Sequence, residues 1–221
     1  MRFTLYYRGP LPSNGSPTDK HFIREAIHPQ IVQVWSIPPL DGIAHIHLNP
    51  DDKEHNLFTE VNGHLFGCIV SSKNHCTADL DITLLRPEAP GALLAQGGDI
   101  DNRLKTLLDA LSVPASPNQL PAQFNPGPDQ SPFYCLLEDD ALVTGLHVRT
   151  ERWLNPGAVA ASEVVLLIRV ETRTSKKTLQ TSILLDHSIG DNFIESLARS
   201  TLYDSHFVQQ SLTADARTSR G

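Results

Sequence analysis

Two groups of acids in this chain have the residue types and the spacing to hold a cation. Residues 97–112 read GGDIDNRLKTLLDALS, which sets Asp99, Asp101, Asn102 and Lys105 at the start of an apolar repeat. Residues 138–140 are Glu138, Asp139 and Asp140, three consecutive acids between an apolar run and the next strand pattern. Hard divalent ions such as Mg²⁺ or Mn²⁺ take carboxylate oxygens and water, and need few protein ligands. Two carboxylates from a helix start and one from a strand start would make such a site. Lys105, one turn after Asp101 and on its side of a helix, could neutralise a phosphate. That chemistry suits hydrolysis of a phosphodiester, in which charge develops on the non-bridging and leaving oxygens. The plainer reading makes Asp99 an N-cap, Asp101 a first-turn acid favoured by the helix dipole, and 138–140 a solvated turn. It accounts less well for Asn102, a weak helix former in the helix start.

The elements around these residues follow from periodicity. Ile100, Leu104, Leu107, Leu108 and Leu111 form one apolar stripe, which predicts a helix from Asp99 to about Ser112, stopped by Pro114. Upstream, residues 3–11 read as a strand, and PSNGSPT as a turn. Residues 19–35 recur apolar at helical spacing, and Pro29 predicts a break or kink near the middle. Residues 36–62 read as mostly irregular chain, with HIHLN as a possible short strand. HLFGCIVSS (64–72) and CTADLDITLLRPE (76–88) predict the two strands of a hairpin turning at KNH. After the proline-rich 113–132, expected to be a surface loop, strands resume at FYCLLEDD, at 141–153 and at 162–174. A final helix is expected over 191–199, within a C-terminal element at 187–203, and residues 204–221 read as a flexible tail.

Composition sets the broad class. The chain has 221 residues, 40% of them apolar and 19% charged, with 16 prolines, as expected of one globular domain with long connections. No stretch approaches the ~20 apolar residues of a membrane span, and the start lacks the order of a secretory signal, so a cytoplasmic protein is expected. Three cysteines without CxxC spacing predict buried thiols rather than a disulfide framework or a zinc site. The formal charge of −7 argues against a broad DNA-wrapping surface. Charge is local, however. Residues 147–177 carry Arg149, Arg152, Arg169, Arg173, Lys176 and Lys177 against Glu151, Glu163 and Glu171, a net basic stretch that is equally readable as a solvated strand face.

The pattern D-x-D-N-x-x-K at Asp99, Asp101, Asn102 and Lys105, followed by LLDAL and later by an acidic pair before an apolar strand, resembles the RusA family of Holliday-junction resolvases. The element LPSNG (Leu11 to Gly15), after a first strand, is similar to that family's N-terminal P-P-S-N. The resemblance implies an α/β (α+β) fold, a mixed β-sheet packed by helices, in a homodimer that cuts branched DNA with Mg²⁺ (Mn²⁺ being the alternative ion). It implies Asp99, Asp101 and Asp140 as metal-binding acids, Asp139 as their companion, and Lys105 beside the scissile phosphate. The domain would span 1–186, with insertions at about 16–62 and 113–132 that could redirect it to flaps, duplex DNA or RNA. Weaker DNA contacts are assigned to Arg8, Asn14, Arg149, Arg152 and Arg173.

Other constellations are weaker. His45 and His47 would alternate along a strand without a further metal ligand nearby, and Asp79 and Asp81 share one side of a strand as a fallback metal site. No phosphate-binding glycine loop and no GxSxG elbow occurs. The reading from a different class is a non-catalytic DNA-binding or assembly protein, in which the same acids serve as caps and turn residues.

Overall fold

Period-two burial shapes the larger sheet. In β4 (Cys76–Arg86) the even-numbered side chains are buried and the odd ones face out. β7 (Glu163–Thr174) likewise buries Val164, Leu166, Ile168 and Val170, and β1 (Arg2–Pro10) buries Leu5 and Tyr7. These strands and β6 (Val143–Arg152) form one sheet in the order β1-β7-β4-β6, antiparallel except for the parallel pair β4/β6. A second sheet, in the order β2-β3-β5, is made of β2 (Phe58–Val61), β3 (His64–Val70) and β5 (Phe133–Leu137). With α1 (Pro17–Trp35), α2 (Asp41–His47) and α3 (Ile100–Leu111) this is a mixed α+β architecture. The computed structural model describes residues 1–87, 100–154 and 163–176; Asp99, the helix expected at 191–199 and the tail lie outside them.

One face of the four-stranded sheet carries the main core. Leu5, Ile82, Ile168 and Val170 meet Ile23, Ile27 and Ile31 of α1 and Leu107 and Leu111 of α3. The opposite face is open and polar. A smaller aromatic cluster joins Phe66 and Phe133 of the second sheet to Leu120 and Phe124, so the proline-rich stretch 113–132 packs down on that sheet instead of standing clear of it. Among the described residues, no helix is long and apolar enough to cross a membrane. The three cysteines are buried and unpaired, and burial pushes the Cys135 thiol up to about 12.

Several local expectations are corrected. The helix expected from Asp19 starts at Pro17: Ser16 and Asp19 form a capping box, with the Ser16 N–H donating to Asp19 Oδ2 at 2.8 Å. Pro29 does not end it. The proline lies on the exposed side, and the buried side of the helix keeps its packing. HIHLN belongs to α2 rather than a strand, because Ile43 and His47, four residues apart, bury on one side. β3 and β4 are not a hairpin; residues 71–75 carry the chain from one sheet to the other. The hairpin is β2/β3, turning at Asn62 and Gly63 with φ of 54° and 77°.

The two helices are locked by a buried cation. Arg24 of α1 is 1% exposed, and its guanidinium donates to the carbonyls of Asp109 (2.7 Å), Ser112 (3.3 Å) and Gln119 (3.4 Å). Two of these carbonyls sit at the C-terminal end of α3, where the helix leaves acceptors unsatisfied and its dipole favours positive charge. Lys20 adds an ion pair to Asp109 at 2.7 Å. Burial lowers the Arg24 pKa and Cys135 and Asp109 oppose that shift; a guanidinium keeps its charge in such a site.

Two predictions follow from this packing. Arg24→Met should lower the unfolding free energy in urea by about 3 kcal/mol, since one buried and two partly buried carbonyls lose a charged donor. The second concerns acid. His28 Nδ1 accepts from the Tyr134 N–H at 2.9 Å, so Nε2 carries the proton and faces the Asp129 carbonyl at 3.3 Å. Burial pushes His28, His21 and His47 below the usual histidine range. With a depressed folded pKa, the unfolded chain binds more protons as pH falls. Stability is therefore full above about pH 6.5 and declines below it, by up to about 1.4 kcal/mol per pH unit for each histidine. Urea midpoints measured between pH 5 and 8 should show that decline, and His28→Gln should flatten it.

Candidate functional site

The site begins with helix α3. Its buried side, Thr106, Leu107, Ala110 and Leu111, faces the core, which leaves Asp101 and Lys105 exposed on the other side, four residues apart. The N-terminal LPSNG loop packs against this helix. The Gly15 N–H donates to Thr106 Oγ1 at 2.9 Å, and Arg103 Nη1 donates to the Leu11 carbonyl. A Cβ on Gly15 would stand 2.6 Å from Thr106 Cγ2, so this approach requires glycine. Asn14 occupies the turn with φ of 56°, a conformation asparagine tolerates, and its side chain is exposed.

The acidic triplet arrives from the other direction. β5 ends at Leu137, which is bridged to Ser112 at the end of α3; the Val113 N–H donates to the Leu137 carbonyl at 2.9 Å. Residues 140–142 then form a single 3-10 turn lying against both α3 and β4. The three acids have different employment. Glu138 Oε2 accepts from Ser71 Oγ (2.8 Å), the Ser72 N–H (2.7 Å) and Ser72 Oγ (2.7 Å). Burial pushes its pKa up, but these donors and Lys73 outweigh it, so the carboxyl lies below its ordinary value. Asp139 caps the 3-10 turn, its Oδ1 accepting from the Ala141 N–H at 2.8 Å. Asp140 is exposed. A hollow of about 520 Å³ lies beside this turn, lined by Val61, Val113, Pro117, Asp139 and Leu142 among others.

Of the residues read as metal ligands, Asp101, Asp139 and Asp140 are thus on exposed surface associated with α3, and Asp99 lies outside the described residues. Among the described residues, no group of three or more His, Cys, Asp and Glu side chains is gathered in a way that could hold an ion. Asp101 is about 16 Å along the helix axis from Ser112, and the acidic turn follows Leu137, the residue bridged to Ser112 at that far end of α3.

The arginines assigned to DNA are mostly committed elsewhere. On the open face of the four-stranded sheet Arg8 pairs with Glu163 (2.7 Å), Arg149 with Asp81 (3.1 Å) and Arg173 with Asp79 (2.7 Å). Arg8 also lies over the Trp153 ring, 5.1 Å from its centroid. Arg152 is exposed at the end of β6. The fallback pair Asp79 and Asp81 is saturated by protein cations: His147 and Arg169 also approach Asp81, and Thr144 Oγ1 donates to Asp79 at 2.8 Å. Sequence reasoning saw a basic stretch because the neutralising acids come from β4, over sixty residues away. His45 is exposed, and His47 is buried with Nδ1 against the His55 carbonyl at 2.9 Å.

No family model, no curated protein and no solved structure matches the chain.

The contact between the N-terminal loop and α3 is testable by itself. Gly15→Ala should cost about 1–3 kcal/mol of stability, because Thr106 is buried on a helix and cannot yield. Thr106→Val, which keeps the shape and removes the acceptor, should cost about 1 kcal/mol and speed hydrogen exchange at the Gly15 amide.

Proposed function

We propose that the protein is a divalent-metal-dependent endonuclease of the RusA kind, acting as a homodimer on branched DNA. One observation carries the reading. Two segments distant in sequence, the LPSNG loop and the 140–142 turn that ends the acidic triplet, pack on α3, the helix that carries D-N-x-x-K.

The donor set fits a hard ion: Asp101, Asp139 and Asp140 offer carboxylate oxygens from exposed positions. Asp101 and Asp140 would hold Mg²⁺ or Mn²⁺, with Asp99 and the remaining oxygen of Asp139 completing the set. When bound, such an ion supplies an activated water and neutralises charge on the phosphodiester. The chain's own groups do the rest. Lys105 projects from the same side of α3 as Asp101, where its ammonium would neutralise a non-bridging phosphate oxygen and favour the build-up of charge during attack. Glu138, held by Ser71 and Ser72, anchors the turn that carries Asp140 and takes no part in proton transfer. The paired arginines of the sheet face support a small footprint on DNA in place of a broad wrapping surface.

The purified protein, given labelled four-way junction, flap, duplex, single-stranded DNA and RNA, should cleave the junction when Mg²⁺ is added and none of them in chelator. Asp101→Asn and Lys105→Ala should each slow cleavage by about 100-fold or more with the fold intact. No cleavage of any substrate with Mg²⁺ or Mn²⁺ would overturn the enzyme reading, and equal cleavage of single-stranded RNA would overturn the substrate.

A further inference from the structure

Asparagine followed by glycine occurs twice in the chain, at Asn14-Gly15 and at Asn62-Gly63. The pair has a chemistry of its own. Once the glycine backbone nitrogen gives its proton to solvent base, it can attack the side-chain carbonyl carbon of the asparagine. A C–N bond forms, the bond to the side-chain nitrogen breaks, and ammonia leaves. Water then opens the cyclic imide at either of its carbonyls, which gives aspartate or isoaspartate. Glycine in the second position sets no side chain in the path of attack. In sequence and in backbone conformation the two sites are alike, since both asparagines are exposed and have φ of 56° and 54°.

Their attacking nitrogens are not alike. The Gly15 N–H donates to Thr106 Oγ1 at 2.9 Å, and that hydroxyl donates in turn to the Asn102 carbonyl at 3.0 Å. Thr106 is 1% exposed. A Cβ on Gly15 would stand 2.6 Å from Thr106 Cγ2 and 3.4 Å from Asp19 Cβ, and the next amide, that of Ser16, is held by Asp19 Oδ2. The Gly15 nitrogen is therefore closed to solvent base, and its peptide is held from both sides against rotation toward the Asn14 side chain. Reaction there has to wait for the loop to leave α3.

The hairpin tip offers the opposite case. Positive φ at both Asn62 and Gly63 defines a type I′ turn, closed by the bond from the His64 N–H to the Val61 carbonyl, with the Gly63 N–H left outside the ladder. That N–H has no acceptor among the described residues, and nothing lies within 4 Å of where a Gly63 Cβ would stand. Rotation of the Asn62-Gly63 peptide disturbs the terminal Val61 and His64 pairing and no packed side chain.

We propose that Asn62 is a site of spontaneous deamidation, with water as the co-reactant, and that Thr106 shields Asn14 from the same reaction. Either product adds a negative charge at the rim of the hollow lined by Glu60, Glu138 and Asp139. Isoaspartate also routes the backbone through the former side chain, a lengthening that a two-residue turn absorbs only by loosening its register. The reaction thus alters the β2/β3 tip and leaves the LPSNG loop intact. This inference stands apart from the nuclease reading, and either can fail without the other.

The full chain, held folded at mildly alkaline pH, is sampled over time, digested, and its peptides mapped for the mass gain of an amide turned into an acid. Asn62 should convert at least about tenfold faster than Asn14, because the latter needs an opening that breaks a hydrogen bond and a packed contact. In urea the two sites should react at similar rates. Thr106→Val removes the acceptor of the Gly15 N–H and should speed Asn14 by about fivefold with Asn62 unchanged. Should that variant fail to fold, Thr106→Ala takes its place with the same expectation. A folded chain in which Asn14 reacts as fast as Asn62 would overturn the proposal. So would an Asn62 that stays intact while the unfolded chain reacts, a preference for Asn62 that persists in urea, or a folded Thr106 variant in which Asn14 is no faster.

Discussion

A single buried guanidinium holds this molecule in register. Arg24 reaches from α1 to carbonyls at the end of α3 and just beyond it, and so determines where α3 lies across the sheet. A charge with that little exposure is tolerated only because it replaces water with several acceptors at once, two of them at a helix terminus that favours a cation. Its effect reaches the surface. The end of α3 also receives β5 through the Ser112 and Leu137 bridge, so the same contact sets the departure point of the acidic turn. The N-terminal loop, tied to Thr106 and Arg103, depends on α3 being there at all.

The open sheet face obeys a different constraint. Four strands present arginines and acids in alternation, and cross-strand pairing places each cation over an acid of a neighbour. Exposed pairs of this kind contribute little stability. Their consequence is electrostatic: the face shows almost no net charge to a polyanion, even though the strands that form it are rich in arginine. The same alternation continues to β6, where Glu151 is exposed and has no ion pair among the described residues.

Much of the fold could be read from the chain because its signals were local. The alternation in β4 and β7 and the stripe in α3 are single-segment periodicities, and strands and helix fall within a residue or two of the places they predict. The Asn62-Gly63 hairpin signal was equally local, but the polar KNH stretch at the far end of β3 reads as a turn as well. HIHLN was ambiguous in principle, since His45 and His47 fit a period of two while Ile43 and His47 fit a helical turn. Pro29 carried a rule about backbone donors whose outcome depends on which side of the helix meets water.

For the candidate site, residue types and spacing along the chain determined the exposed acids and lysine at the head of an amphipathic helix, because a 3.6-residue period fixes which positions share a side. They could not determine what each acid touches. Glu138 is claimed by two serines, Asp139 by its own turn, and the arginines by acids of β4 and β7. The partnerships of Glu138 and the arginines depend on strand order and register between segments more than sixty residues apart. Tertiary structure alone decides them, because a side chain's partner is set by which strands become neighbours, and that choice is made by burial of the core as a whole.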